Sequence, residues 1–283
     1  MVPPPAVLVA ANLDALEPVH HGFFTRRGGE SEGELASLNC GYSSGDAPGV
    51  IAANRARAMS SIGMPAASLC TVKQVHGTAV HVVRAAQPGP STIEADALVT
   101  DQAGVTLGVL SADCAPVLAV DPLAGIVGAA HAGWRGALAG VVEAMIEAMI
   151  GLGAHGDRIK AAVGPCIAKP SYQVGPDMLA AFERQDRSGT SLFEAEPDSE
   201  RFLFDLKAYV LTRLARSGVK DLTALLQDTL TDEAQFFSAR RARSRGRERF
   251  GLLLSAIAIE HRAPNVGGPG MRSTASAGNN DQP

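Results

Sequence analysis

The sequence predicts a mixed α/β fold, and three observations predict it. Short apolar runs bounded by turn residues, such as VTLGVLS, VLAV and IVGAAH, have the length of strands rather than helices. Longer stretches with helical patterning, GALAGVVEAMIEAMIGLG and FLFDLKAYVLTRLARSGV among them, lie between such runs. Several strands follow one another across tight turns with no room for a crossover helix, so the sheets should be mixed rather than regularly parallel.

Taken in order, VLVAA opens the chain as a short strand, and a second strand runs up to Thr25. A stretch of glycines and small polar residues follows, FFTRRGGESEGELASLNCGYSSGD, which cannot build a core and reads as a functional loop. APGVIAANRARAMSSIG is a helix with Pro48 near its start and Gly63 as its stop. SLCTVKQVHGTAVHVVRA reads as a strand pair broken at His76-Gly77, followed by a Pro/Gly loop over 86–92. VTLGVLSADC is a buried strand ending on Asp113 and Cys114, VLAV a second strand, DPLAG a tight turn, and IVGAAH a third strand ending on His131. After AGWRG one helix is expected through GALAGVVEAMIEAMIGLG. RIKAAVGPC is a further strand, GPDMLAAFERQ a helix, and the polar run to Glu200 a long loop. Asp205 should cap the next helix and Gly218 stop it. DLTALLQDTL contains one more strand and FGLLLSAIAI the last. A single domain over 1–262 and a disordered tail over 263–283 are the expected organisation.

With 283 residues, 46% hydrophobic and 19% charged, the chain can bury a sizeable core. Its net charge of −4 gives no electrostatic case for nucleic acid or an anionic membrane. No apolar run approaches the roughly 20 residues of a membrane span, and MVPPPAVLVAANLD has no basic region to open a signal peptide. Cys40, Cys70, Cys114 and Cys166 form no dense framework and read as reduced thiols in a cytoplasmic protein. The one basic cluster, ARRARSRGRER, reads as a solvated loop or as an anion site.

Three side chains suited to a metal stand at strand ends or turns: His76, Cys114 and His131. Two imidazoles and a thiolate suit zinc and leave a fourth position for water. The same set is the trigonal shell of a blue-copper site, although the remaining histidines, without a His-x-His pair, are too few for a multicopper relay. A metal-free reading makes Cys114 a nucleophile with His131 as its base. The bland alternative is a buried thiol and two ordinary histidines. Asp113 either orients a ligand or caps a turn.

At these residues the chain resembles the YfiH family, whose members were long labelled polyphenol oxidases or laccases and are now described as purine nucleoside phosphorylases. The resemblance runs from about residue 20 to 260 through FFTRRGGESEG, SLNCGYSSGD, the Asn54-Arg55 pair of the first helix, KQVHG, EADALVT, ADCAPVLAVDP, HAGWRG, GPCI, SYQVG, FDL and FFSARR. It implies that His76, Cys114 and His131 hold a metal, zinc or alternatively copper. It implies phosphorolysis of adenosine, inosine, guanosine and methylthioadenosine, with adenosine deamination beside it. Arg26, Arg135, Arg240 and Arg241 become candidate contacts for phosphate or ribose, with the loop near Arg26 and Asn39 walling the pocket. Purine nucleosides and phosphate are then the partners of a monomer or weak oligomer. Two positions depart from the family pattern: Ala239 replaces an aromatic before the arginine pair, and Leu252 stands where arginine is expected. The implied fold is similar to the catalytic domain of cytotoxic necrotizing factor, a cysteine hydrolase, which keeps hydrolysis by Cys114 and His131 as an alternative, beside copper polyphenol oxidation.

Overall fold

Alternation along the central strands explains the architecture. In Ala115–Asp121, Val117 and Ala119 point into one core while Leu118 and Val120 point into another; in Ala97–Thr100, Val99 and Leu98 divide in the same way. A strand apolar on both faces must be covered on both. The computed structural model describes residues 2–260 and shows how this is met. The expected tail over 263–283 lies outside the described residues.

Six strands form one mixed sheet in the order 221–224, 160–163, 115–121, 126–132, 97–100, 80–82. Its central pairs are antiparallel and its two outer pairs parallel. A five-stranded sheet runs 7–8, 19–24, 253–259, 106–111, 69–70. The two sheets face each other through Phe23, Leu107, Val109 and Ile257 on one side and Leu98, Leu118, Val120 and Val127 on the other. Helices Val141–Gly151 and Leu206–Arg216 cover the far face of the six-stranded sheet, and helix Pro48–Ser61 covers that of the five-stranded sheet through Ala58 and Met59. The result is helix, sheet, sheet, helix. A small antiparallel sheet of 173–174, 202–204 and 193–195 stands apart from these two sheets.

Several elements fall where the residues place them. Pro48 opens its helix, Asp205 accepts from the Ala208 amide at 2.9 Å as an N-cap, and Gly63 and Gly218 take positive φ just beyond their helices. Three expectations are corrected. Leu69–Cys70 and Val80–Val82 are not partners but belong to different sheets, because the backbone turns at His76 (φ +61). The helix after AGWRG is two helices, Trp134–Ala139 and Val141–Gly151, broken where Gly140 adopts φ +106. The polar run before Glu200 holds a 3-10 segment, Arg187–Leu192, and the strand Phe193–Ala195, since Phe193 packs on Phe182 and Phe204.

Buried His21 accepts a hydrogen bond at Nε2 from the Ala10 amide at 2.9 Å, which requires the neutral ring. Burial lowers its pKa, against a smaller opposing pull from Asp14. The unfolded chain therefore binds the proton more readily, and stability should fall as pH drops below the ordinary histidine value of about 6.5, by at most about 1.4 kcal/mol per pH unit. Urea melts of the wild type and of His21→Gln between pH 7.5 and 5.5 test this: the variant should lose much of the slope.

Candidate active site

The chain crosses from one sheet to the other at Ala112–Cys114, between strands Thr106–Ser111 and Ala115–Asp121. Asp113 makes that crossing with φ +85. The next hairpin turns through Pro122–Gly125, where the Asp121 carboxylate accepts from the amides of Leu123 and Ala124. Its register sets Pro116 opposite His131 and Ala115 opposite Ala132, so Cys114 and His131 emerge at the same end. His76 arrives from the other side, on the turn before Val80–Val82.

One residue ties these parts together, and sequence reasoning gave it no role: Asp96. It is fully buried at the start of strand Ala97–Thr100, next to His131 across the ladder. Its carboxylate accepts from the backbone amides of Val75 (3.1 Å), His76 (3.0 Å) and Gly77 (2.7 Å), fixing the turn that carries His76. It also accepts from His131 Nδ1 at 2.9 Å, which leaves Nε2 to face Cys114 and His76. The signal available in the sequence was an aspartate embedded in the apolar run EADALVT, since a buried acid requires donors.

One donor atom from each of His76, Cys114 and His131 lies within 4.8 Å of the others, and Cys114 Sγ is 3.9 Å from His76 Nε2. The two imidazoles meet edge to face with centroids 4.8 Å apart. Burial opposes ionisation of Cys114, but the neighbouring His131 and His76 outweigh it and lower the thiol's pKa. His131 is raised, because the Cys114 thiolate and the Asp96 carboxylate overcome the penalty of its burial. The geometry therefore favours a thiolate beside an imidazolium. The trio fits a transition-metal ion: two nitrogens and a sulfur converge, one ring is oriented by a carboxylate as metal-bound histidines usually are, and one side stays open. Among the described residues it is the one group of three or more such side chains that could share an ion.

The trio forms part of the wall of a cavity of about 800 Å³. Tyr42, Trp134, Tyr172 and Phe250 supply aromatic walls. The lining carries five cationic side chains (Arg55, Lys73, Arg135, Arg240, Arg243) and one carboxylate, Asp113, in a chain that is net negative. That carboxylate is occupied. It accepts from Thr229 Oγ1 (2.7 Å), Ser238 Oγ (2.9 Å) and the Arg240 amide (2.7 Å), and so anchors the segment carrying Arg240.

The sequence candidates divide accordingly. Arg135 lies exposed on the cavity wall, stacked 4.4 Å over Trp134, and Arg240 faces it while donating to the Gln173 carbonyl at 2.9 Å. Arg26 and Arg241 are not brought to the trio. They line a separate cavity of about 280 Å³ and donate to backbone carbonyls, Arg26 to Ala36 and Arg241 to Thr229 and Leu230. Asn39 is buried behind the wall, bonded to Ser44, Asp46 and the amides of Gly41 and Leu252. The loop itself does wall the cavity, through Tyr42 and Ser43. Both departures from the family pattern, Ala239 and Leu252, fall on this wall.

A helix–sheet–sheet–helix protein with a His₂Cys cluster opening into a cationic, aromatic-walled cavity is the class that fold and site define. The family model described as multi-copper polyphenol oxidoreductase laccase matches residues 20–260. The chain belongs to this family, the YfiH family. It is 43% identical over 223 residues to a protein of Deinococcus radiodurans named purine nucleoside phosphorylase, covering 79% of this chain and 84% of that one. It is 42% identical over 229 residues to a Streptomyces griseus protein of the same activity name, covering 81% and 91%. Among solved structures it is similar to a Neisseria meningitidis protein (TM-score 0.78, 33% identity, 89% and 99% covered) and to YfiH of Bacillus licheniformis (TM-score 0.77, 26% identity, 86% and 93% covered). No helix among the described residues is long and apolar enough to cross a membrane.

Proposed function

We propose that this protein is a purine nucleoside phosphorylase, that the trio holds zinc, and that adenosine deamination is a second activity of the same cavity. The observation that carries the reading is the meeting, in one cavity, of the His₂Cys cluster with aromatic walls and an excess of cations. Phosphorolysis brings together a flat apolar base, a ribose and a phosphate dianion. An oxygen of phosphate bonds to C1′ as the bond from C1′ to the purine nitrogen breaks. The bonding electrons leave with the base, which takes up a proton, and ribose 1-phosphate remains. Tyr42, Trp134, Tyr172 and Phe250 offer faces for the base. Arg135 and Arg240 offer charge to phosphate and to the developing negative charge on the base. In this reading His76 and His131 serve as ligands, His131 oriented by Asp96, and the proton for the leaving base would come from water on the open side of the trio. Zinc held by the trio would supply Lewis acidity and an activated water. Deamination exchanges the C6 amino group for a water oxygen, releasing ammonia and inosine.

A second reading is favoured by one observation. Cys114, His131 and Asp96 stand in the order thiolate, imidazolium, carboxylate, as in cysteine hydrolases. Copper polyphenol oxidation has less support, because a multicopper relay needs further ligand clusters and the trio is the one such cluster among the described residues. Adenosine incubated with the zinc-loaded protein decides among these. Adenine and ribose 1-phosphate should form only with phosphate present, and inosine should form without it. Absence of every purine product would sink the reading, and hydrolysis of an amide or ester that survives chelation would establish the alternative.

A further inference from the structure

The Asn54-Arg55 pair stands out in the sequence without an assigned role, and the two residues prove to be unlike. Asn54 is saturated: it donates to Ser31 Oγ and to the carbonyls of Ser37 and Asn39, and accepts from the Glu30 amide. Arg55 is not. Its side chain is buried, at 6% exposure, yet lines the large cavity. A buried guanidinium ordinarily sits against a carboxylate, because an unpaired charge out of water is costly. Among the described residues no carboxylate lies within ion-pairing distance of Arg55. Nε donates to the Cys40 carbonyl at 2.8 Å, Nη1 donates to Thr71 Oγ1 at 3.2 Å and the Gly89 carbonyl at 3.5 Å, and Nη2 makes no hydrogen bond to any described residue. The group is held in place by these bonds and by the Tyr42 ring 4.5 Å away. A planar fork fixed at its inner edge, with an unused donor and uncompensated charge, suits a phosphoryl oxygen.

We propose that Arg55 is the anchor of a phosphoryl subsite in this cavity, on the wall formed by Tyr42 and Thr71. The identity of the anion as the co-substrate rests on the phosphorylase reading; a 5′-phosphate on a purine nucleoside has the same chemistry. Arg135, Arg240 and Arg243 then serve to draw the anion in, and Arg55 fixes it.

Two measurements on the full chain test this. In steady-state kinetics with adenosine, Arg55→Met should raise the KM for phosphate at least tenfold while leaving the KM for adenosine within about twofold. Arg55→Lys should fall between, since it keeps the charge but loses the fork. An unchanged phosphate KM in a folded Arg55→Met protein overturns the proposal. If the methionine variant does not fold, the lysine variant decides, with a threefold rise in phosphate KM expected and no rise overturning it. The second measurement needs no activity: titration of wild type with inorganic phosphate or with adenosine 5′-monophosphate, followed by phosphorus NMR line broadening. Saturable broadening that is lost in the Arg55 variant supports the subsite, and the probe that shows it names the source. Failure of both probes to bind wild type overturns it, even where phosphorolysis itself is confirmed. Arg55-dependent binding in a protein without phosphorolysis would keep the subsite and discard the phosphorylase reading.

Discussion

Asp96→Asn should cost both stability and activity, the activity by about 10- to 100-fold as for other partners that orient a metal-binding histidine. The wild-type carboxylate accepts on both oxygens. One oxygen serves the amides of Val75 and Gly77, and the other the His76 amide and His131 Nδ1. Asparagine has one acceptor. With its oxygen toward Val75 and Gly77, its amino group meets the His76 N–H and forces His131 into the other tautomer, proton on Nε2. With the oxygen reversed, two turn amides lose their partner. Removing the carboxylate entirely, as Asp96→Ala, should cost about 3–5 kcal/mol, the range for breaking a buried charged pair. For a chain of this size that lowers Tm by roughly 10 °C. Calorimetry of the two variants beside their adenosine kinetics checks both parts. A protein that keeps wild-type activity with asparagine at 96 would show that the tautomer of His131 does not matter.

Cys114→Ala should do the reverse, leaving the fold intact while abolishing turnover. The Cys114 side chain faces the cavity, and its polar neighbours are the two imidazoles, His76 Nε2 at 3.9 Å and His131. Taking one ligand from a set of three should release the ion, and the loss of roughly 3 kcal/mol of transition-state stabilisation corresponds to a fall in kcat of about 100-fold or more. Metal content by mass spectrometry and adenine release should fall together, with Tm of the metal-free forms unchanged within a few degrees. Under the cysteine-hydrolase alternative the variant would also be inactive, but the wild type would then work after chelation and be silenced by alkylation. Inactivation by chelator and restoration by zinc separates the two.

Much of this was legible in the residues. The apolar runs ending on Cys114 and His131, with DPLAG between them, already describe a hairpin whose ends meet, because a tight antiparallel turn leaves register no freedom. The caps at Pro48 and Asp205 and the stops at Gly63 and Gly218 act on neighbouring backbone, so local chemistry suffices to find them. His76 lies 38 residues from Cys114; its residue type and place at a turn made it a candidate beside the pair, and the family resemblance strengthened the grouping.

What the tertiary structure decided concerns partners far apart in sequence. Two arginines of comparable sequence context, Arg240 and Arg241, separate because the first faces the cavity while the second ties down backbone carbonyls. Asp113 stands beside a metal candidate in sequence but spends its charge on Thr229, Ser238 and the Arg240 amide, more than a hundred residues away. Asp96 and Arg55 carry no local motif that tells an organising acid or an unpaired buried cation from an ordinary one. Their meaning lies in which donors and acceptors the packed layers bring within 3 Å, and which they withhold. The sequence by itself determined the class of fold, its central strands and the hairpin that brings Cys114 and His131 to one end; the packing of two sheets back to back determined which charges are satisfied and which are left facing the cavity.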